Sequence, residues 1–488
     1  SIGPNGRTGS PVTIIMRPLE ITLAAILTIR IGMTAFRRRR WHSWASFLAL
    51  GVLVLQVGME GYRWQMVPLY AITFGISLIV LWRLSQPQRE SAPRARIAWL
   101  RTAGGFLLLG LSILPPILLP VPSTPAPTGP HPVGTVSLML VDESRRALYS
   151  GDPDEPRAIM LQVWYPADGE SIRKAKRAPW MEEAEDLAPA IAKILGLPTF
   201  SARHLRYAKS HAYADVPPAE MESYPLLLFS HGWRGFRTQN SYQMEALASH
   251  GYVVAAPDHT YGAVMTVFPT GEAIPYNPDA LPHDQDMPDD DYKTIANQLV
   301  TQWAGDLSFI VDVLASGEGL GGPLETLSPK LDVENVGVLG HSTGGGAIVA
   351  FCARDPRCQA GFGMDTYLEP VSESVLSSGL EQPFLFMYSQ TWPSADNMAR
   401  FERLYAQTAS PSYRVDIDGT AHYDFTDLPA FSPLAAPLGF KGPLDGERVL
   451  TIIRAYSVAF FDQELRGQAD IYLKGIAPAF MEVTFEEK

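Results

Sequence analysis

Cysteine is nearly absent from this 488-residue chain: Cys352 and Cys358 are the only two. Two thiols build no tetrahedral thiolate site, and no histidine-rich spacing makes up for them, so no metal and no cofactor is expected. The pair leaves two readings open, a small local disulfide or two buried thiols, because sulfur geometry is not readable from spacing. Lysine is missing from residues 1–130, which hold 13 Arg and only three acids, Glu20, Glu60 and Glu90, a net of +10. The whole chain carries −12, so residues 131–488 carry −22. So acidic a half repels phosphates and argues against nucleic acid as partner. It also shows no internal repeat.

What the first half has instead is long apolar runs, at about 18–36, 41–59, 66–82 and 104–121. Each approaches the ~20 residues that cross a bilayer's hydrocarbon core. Trp41, Trp44, Trp64, Trp82 and Trp99 lie at or near their edges, where amphipathic rings favour the membrane interface. Residues 1–121 therefore read as an all-α, four-helix transmembrane domain; buried helices of a large soluble core fit the edge aromatics less well. Arg37, Arg38, Arg39 and Arg40 separate spans 1 and 2, and Arg83, Arg89, Arg94, Arg96 and Arg101 separate spans 3 and 4. Arg63 stands alone between spans 2 and 3. Arginine-rich loops stay in the cytoplasm, which predicts a multi-pass protein of the cell membrane whose remainder is extracytoplasmic. Glu20 and Arg30 within span 1 are expected to snorkel toward the interface rather than to act. Residues 1–10 are left out of the fold reading, as a processed end or a cloning remnant.

A Pro-rich linker, 122–132, leads into a domain at 133–488. Apolar, β-rich runs at 158–166, 224–232, 252–259, 335–342, 359–365, 383–389 and 413–419 alternate with helical patterns at 238–249, 293–315, 343–354, 396–407 and 446–465. That alternation predicts an α/β domain with a mostly parallel sheet flanked by helices. In such sheets sites form at the carboxyl ends of strands. Residues 170–215 read as a helix packed on the sheet, with a lid or entrance as the alternative.

One strand-to-helix junction stands out, "VGVLGHSTGGGAIVAF" at 336–351. Gly340-x-Ser342-x-Gly344 there fits a nucleophile elbow, a tight turn that lifts a serine hydroxyl above the sheet. A serine needs a base. Only His422 follows Ser342 in the chain, in "IDGTAHYDF". His341 reads as a packing residue of the elbow. Asp365, ending the strand after the nucleophile helix, is the chosen acid; Asp396 lies further past its strand, and Asp418 and Asp424 are too near His422. A turn or capping role for Asp365 stands beside this on spacing alone. Backbone N–H groups of Thr343 and of Trp233, in "LLLFSHGWRGF", are expected to form the oxyanion hole. Phe236, Tyr367 and Trp392, with Trp180 and Trp233, are candidates for an acyl or aryl pocket, aromatics being as often core.

From about 131 to 470 the chain resembles the plasma-type platelet-activating-factor acetylhydrolase family, including its bacterial members. The resemblance rests on "PVGTVSLMLVDESR", "LQVWYPAD", "LLLFSHGWRGFRTQNSYQMEALASHGYVVAAPDH", "GVLGHSTGGGAIV", "GFGMDTYLEP", "QPFLFMYSQ", "DGTAHYDFTD" and "AYSVAFFDQEL", in the family's order. It implies an α/β-hydrolase that cleaves carboxylic esters, often short acyl chains on phospholipids, without calcium. It also implies Ser342 as nucleophile, Asp365 as acid, His422 as base, and Trp233 and Thr343 as oxyanion donors. The expected partners are an ester or phospholipid substrate and the lipid bilayer. Two alternatives remain: a broad carboxylesterase or polyester hydrolase, and a non-enzymatic membrane sensor with a hydrolase-like binding domain.

Overall fold

The computed structural model describes residues 16–35, 39–86, 95–282, 287–392, 394–409, 411–475 and 479–488. Arg37, Arg38, Arg89 and Arg94 of the orientation argument, and the segment 1–10, lie outside them. The chain forms two compact units, Ser1–Pro122 with Ser432–Leu434, and Ser123–Phe431 with Ala435–Lys488.

The first unit holds four helices, α1 (Pro18–Gly32), α2 (Arg39–Met59), α3 (Val67–Ser85) and α4 (Ala95–Leu118), each overlapping one of the apolar runs, though α4 begins nine residues before its run. Among the described residues, two helical stretches are long and apolar enough to cross a membrane, Trp64–Ser85 and Arg96–Leu118, with mean hydropathy 1.8 and 1.7. Leu78, Ile79, Leu107 and Leu108 on them are exposed. The charges of α1 do not snorkel. Arg30 is buried and its Nε donates to Ser46 Oγ at 2.8 Å. Glu20 is fully buried and accepts from Arg63 Nε at 2.7 Å and Arg17 Nη2 at 2.7 Å. A buried charge persists only where such partners meet it; here Ser46 of α2, Arg63 of the loop after α2 and Arg17 just before α1 supply them.

The second unit opens with the strands β1 (Val133–Arg146), β2 (Pro156–Pro166) and β3 (Arg177–Pro179). Helix α5 (Ala184–Ile194) and strands β4 (Lys209–Ala214) and β5 (Tyr224–Ser230) follow, then α6 (Ser241–Ser249) and β6 (Val253–Asp258). A small hairpin, β7 (Met265–Val267) and β8 (Ala273–Pro275), precedes the long α7 (Asp289–Ser316) and the short α8 (Pro323–Leu327). The chain then alternates: β9 (Leu331–His341), α9 (Thr343–Cys352), β10 (Cys358–Met364), α10 (Glu373–Ser378), β11 (Phe384–Ser389), α11 (Ala395–Gln407), β12 (Ser412–Ile417), α12 (Gly446–Arg466) and β13 (Val483–Glu487).

Eleven of these strands form one sheet in the order β13-β12-β11-β10-β9-β5-β6-β2-β1-β4-β3. The stretch β6-β5-β9-β10-β11-β12 is parallel throughout. The pairs β1–β2, β2–β6 and β12–β13 are antiparallel. The sequence patterns located the parallel core; they did not mark β1 or β13. Strand β1 is only partly covered, buried and exposed residues alternating over 139–143 and none of the last four being buried, so it lacks the continuous buried run that gives a core strand away.

Period-2 alternation builds a core on each face of the sheet. Leu226 and Leu228 of β5 join Ile310, Leu314, Ile348 and Phe401 from α7, α9 and α11. Leu227 and Phe229 point the other way, to Leu247 of α6 and Ile453 and Phe461 of α12. Helix α7 starts on Asp289, Asp290 and Asp291, acids that suit a helix N-terminus, and stops at left-handed Gly317. In the 170–215 region α5 buries Leu187, Ala188 and Ala192, and it lies against the turn at Arg203–Tyr207 and strand β7 of the small hairpin. Cys352 and Cys358 are joined by a disulfide, their Cα atoms 5.1 Å apart.

Candidate active site

The site begins with a strained backbone. Ser342 joins β9 to α9 at φ 56° and ψ −121°, a conformation that costs a non-glycine residue of order 1–3 kcal/mol and persists only where the surroundings impose it. Here they do. A Cβ on Gly340 would lie 2.5 Å from the Gly344 carbonyl oxygen, and one on Gly344 would lie 2.1 Å from that of Ser230. Only glycines let the turn close this tightly against β5. Register then places the neighbours. His341 pairs with Met364, so the next residues, Ser342 and Asp365, follow the ends of adjacent strands. The Ser342 N–H donates to the Met364 carbonyl at 2.9 Å.

Asp365 is fully buried and also has a positive φ, 43°. Its carboxylate accepts from the N–H and the Oγ of Ser389, both at 2.7 Å. His422 Nδ1 lies 3.0 Å from Asp365 Oδ2, which leaves Nε2 without a partner among the described residues. No hydrogen bond joins Ser342 to His422 among them; such bonds often tighten only when substrate binds. Asp396 is exposed in the first turn of α11. Asp424 accepts from the N–H of Ala421 at 2.8 Å and of Gly442 at 2.6 Å, so it shapes the loop that carries His422.

The loop is held further by groups that sequence reasoning had given other work. His341 Nδ1 lies 3.1 Å from Gln239 Nε2, and its Nε2 lies 3.2 Å from the His422 carbonyl oxygen. A ring that accepts from the Gln239 amide at Nδ1 must carry its proton on Nε2, where it donates to His422. His341 thus latches the base as well as packing the elbow. Trp392 lies flat on His422, centroids 3.6 Å apart and planes 16° apart. A face-on indole favours an imidazolium beneath it. The hydrogen bonds of Ser389 to the acid, and the stacking of the pocket candidate Trp392 on the base, could have been read from sequence only by knowing that β11 ends beside β10.

Burial disfavours charge on both members of the pair. It pushes the His422 imidazole down, to about 3, and the Asp365 carboxyl up, to about 7, the latter against the two hydrogen bonds from Ser389. By spacing alone His341, Asp365 and His422 could ligate a metal, their donor atoms lying within 4.8 Å of one another. Both nitrogens of His341 are already engaged, however, and Asp365 Oδ2 and His422 Nδ1 are paired with each other.

Opposite the elbow, a Cβ on Gly232 would lie 3.1 Å from Ser342 Cβ. The turn after Gly232 closes through Gly235 N–H to the Gly232 carbonyl at 2.8 Å, and Arg234 N–H donates to Gly262 at 2.9 Å. The Trp233 N–H has no acceptor among the described residues. Thr343 is the first residue of α9, where a helix leaves its N–H groups unpaired. Of the aromatic candidates, Tyr367 packs on Trp392 at 6.4 Å and Phe236 edge-on to Trp180 at 5.6 Å. Trp180 itself is 3% exposed, with its Nε1 donating to Asp427 at 2.6 Å; it is core, not a pocket wall. A cavity of about 500 Å³ between α7 and α9 contains none of these residues, so the elbow, not cavity size, locates the site.

Comparison with known proteins identifies the family. Residues 120–475 match the family model described as platelet-activating factor acetylhydrolase, isoform II. The chain belongs to that family. A platelet-activating factor acetylhydrolase of Cavia porcellus is 26% identical over 331 residues, 63% of this chain and 73% of that protein. A probable 1-alkyl-2-acetylglycerophosphocholine esterase of Arthroderma benhamiae is 25% identical over 284 residues, covering 54% and 66%. Among solved structures, a ferulic acid esterase from Streptomyces cinnamoneus superposes with a TM-score of 0.60 at 29% identity, over 75% of this chain and 99% of that one. This member of the acetylhydrolase family is an ester-hydrolysing enzyme with an esterase-like α/β fold, and ester or phospholipid substrates fit the family.

Proposed function

We propose that the chain is a membrane-anchored serine esterase that cleaves short-acyl or lipid esters through Ser342, His422 and Asp365. The observation that carries this reading is the strained Ser342 elbow standing one strand from the pair of buried Asp365 and half-buried His422, 3.0 Å apart. His422 takes the proton of the Ser342 hydroxyl as Oγ attacks the ester carbonyl. The N–H groups of Trp233 and Thr343 meet the oxygen that becomes negative. Collapse expels the alcohol, which receives that proton from His422, and leaves an acyl-serine. Water, deprotonated by His422, then releases the acid and restores the serine. The Trp392 face and the Asp365 carboxylate both favour the imidazolium that forms in each half.

The ferulic acid esterase likeness, with Tyr367 and Trp392 beside the base, favours a second reading in which the substrate is an aryl ester. Hydrolysis rates on a short-acyl phospholipid, a p-nitrophenyl ester and a feruloyl ester separate the two. The first reading expects kcat/KM highest on the phospholipid; a feruloyl ester ahead of it moves the enzyme to the second.

The resting pair predicts the pH profile. At alkaline pH the Asp365 carboxylate accepts from Nδ1–H and leaves Nε2 free as a base. A proton added to the pair as pH falls goes to the carboxyl, whose folded value is raised. It then donates to Nδ1 and forces the ring's own proton onto Nε2, where it cannot serve as base. Activity is therefore present above neutrality and lost as pH falls through about 7, the apparent value belonging to the pair. Ser389→Ala removes one donor from the carboxylate. A charge-assisted hydrogen bond contributes about 1.5–3 kcal/mol and one pKa unit is about 1.4 kcal/mol. The acid limb of kcat/KM is expected to move up by about one unit; an unmoved limb takes Ser389 out of the account.

The topology follows the arginine asymmetry, with the hydrolase unit outside the cytoplasm. A C-terminal alkaline phosphatase fusion is expected to be active and a C-terminal fluorescent-protein fusion dark. The reverse pattern inverts the orientation.

A further inference from the structure

Behind the proposed oxyanion loop lies a second serine–histidine–aspartate chain. Ser230 Oγ is 2.9 Å from His259 Nε2, and His259 Nδ1 is 2.9 Å from Asp306 Oδ2. Arg157 holds the same carboxylate through Nε at 3.0 Å and Nη2 at 2.6 Å, and Arg145 Nη2 adds an ion pair at 3.0 Å. Ser230, His259 and Asp306 have no exposed surface at all, so no ester reaches this serine and the chain is not a second active site. Burial lowers the tendency of His259 to charge. The neutral ring donates from Nδ1 to Asp306 and accepts the Ser230 hydroxyl proton at Nε2.

The position of this chain is what gives it a role. Ser230 is the last residue of β5, and its carbonyl oxygen abuts Gly344 at the base of the elbow. The His259 backbone N–H donates to His231 Nε2 at 3.1 Å. His259 also stacks on Trp303, with centroids 4.3 Å apart and planes 6° apart. Residues 230 and 231 lead directly into Gly232 and Trp233. We propose that His259 is a positioning residue for the oxyanion hole: anchored to Asp306 and Arg157, it fixes Ser230 and His231, so that the Trp233 N–H meets the ester oxygen. The proposal rests on the reading of Ser342 as nucleophile and Trp233 as donor.

The test uses the full-length enzyme and three variants, His259→Asn, Ser230→Ala and their double. Asn keeps an amide near the Nδ1 position but does not reach Ser230. Removal of one oxyanion donor costs roughly 10²–10³ in kcat; a donor misplaced but present is expected to cost about tenfold to a hundredfold, with KM unchanged. The double variant should be no worse than the worse single one, because both break the same link. Affinity for a trifluoromethyl ketone, which forms a tetrahedral adduct with a reactive serine, should fall by the same factor as kcat/KM. His259→Gln, whose longer side chain reaches Ser230, should recover most of the loss. If the variants melt at lower temperature but turn over normally when folded, the chain only stabilises the fold and the proposal fails. If His259→Asn does not fold, Ser230→Ala alone decides by the same kcat and inhibitor readouts. A wild-type enzyme that does not form the ketone adduct overturns the nucleophile reading instead, a distinguishable result.

Discussion

Ser342→Ala is expected to abolish ester hydrolysis in a protein that still folds. Losses of a triad nucleophile reach about a millionfold in kcat, and the other hydroxyls near the elbow, those of Thr343, Ser230 and Thr366, are buried away from any ester. Alanine is also expected to spare the fold. Ser342 makes its structural bonds through the backbone, N–H to Met364 and carbonyl oxygen to the Tyr367 N–H at 3.0 Å, and these survive truncation. The strained φ of 56° stays with the alanine, so the melting temperature should change little. Turnover by the purified variant near that of the wild type contradicts the mechanism.

Asp365→Asn is expected to lower kcat by about four orders of magnitude, the loss seen when a triad aspartate can no longer hold its histidine's tautomer. The geometry says why. The amide either donates to Nδ1, forcing the proton onto Nε2, or offers one oxygen to both the ring and Ser389, which now donate to a single acceptor. Asp396→Asn should stay within a few-fold of the wild type, since Asp396 is exposed on α11 and takes no part in the His422 contacts. Steady-state kinetics of both variants on one soluble ester checks the contrast. An inactive Asp396 variant beside an active Asp365 variant moves the acid one strand later.

Much of this geometry was legible in the chain because it is local. The elbow is written into five consecutive residues, Gly340 to Gly344, between a strand pattern and a helix pattern. His422 could be singled out by elimination, as the one histidine after Ser342. The parallel strands showed themselves as apolar runs because both faces are buried. What stayed hidden depends on pairing across the sheet. Nothing in "PFLFMYS" says that its final serine donates twice to Asp365, since that requires β11 to lie beside β10. The Trp392–His422 stack and the His341 latch depend in the same way on the loop after β12 folding back over the elbow. Ser230, His259 and Asp306 come from three separate elements, 29 and 47 residues apart, and no spacing rule links them. The pairing of Arg30 with Ser46 and of Glu20 with Arg63 shows the same limit in the helical unit: an isolated charge in an apolar run reads as a snorkelling one until its partner on another segment is known.

Reaction of the full-length enzyme with a fluorophosphonate, followed by peptide mass spectrometry, tests the central claim most directly. The reagent phosphonylates a serine only where a base and an oxyanion hole activate it. One adduct per chain is expected, on the peptide containing Ser342, formed in the wild type, slowed in Asp365→Asn and absent from Ser342→Ala. An adduct on another residue, or a Ser342→Ala protein that labels as fast as the wild type, contradicts the account.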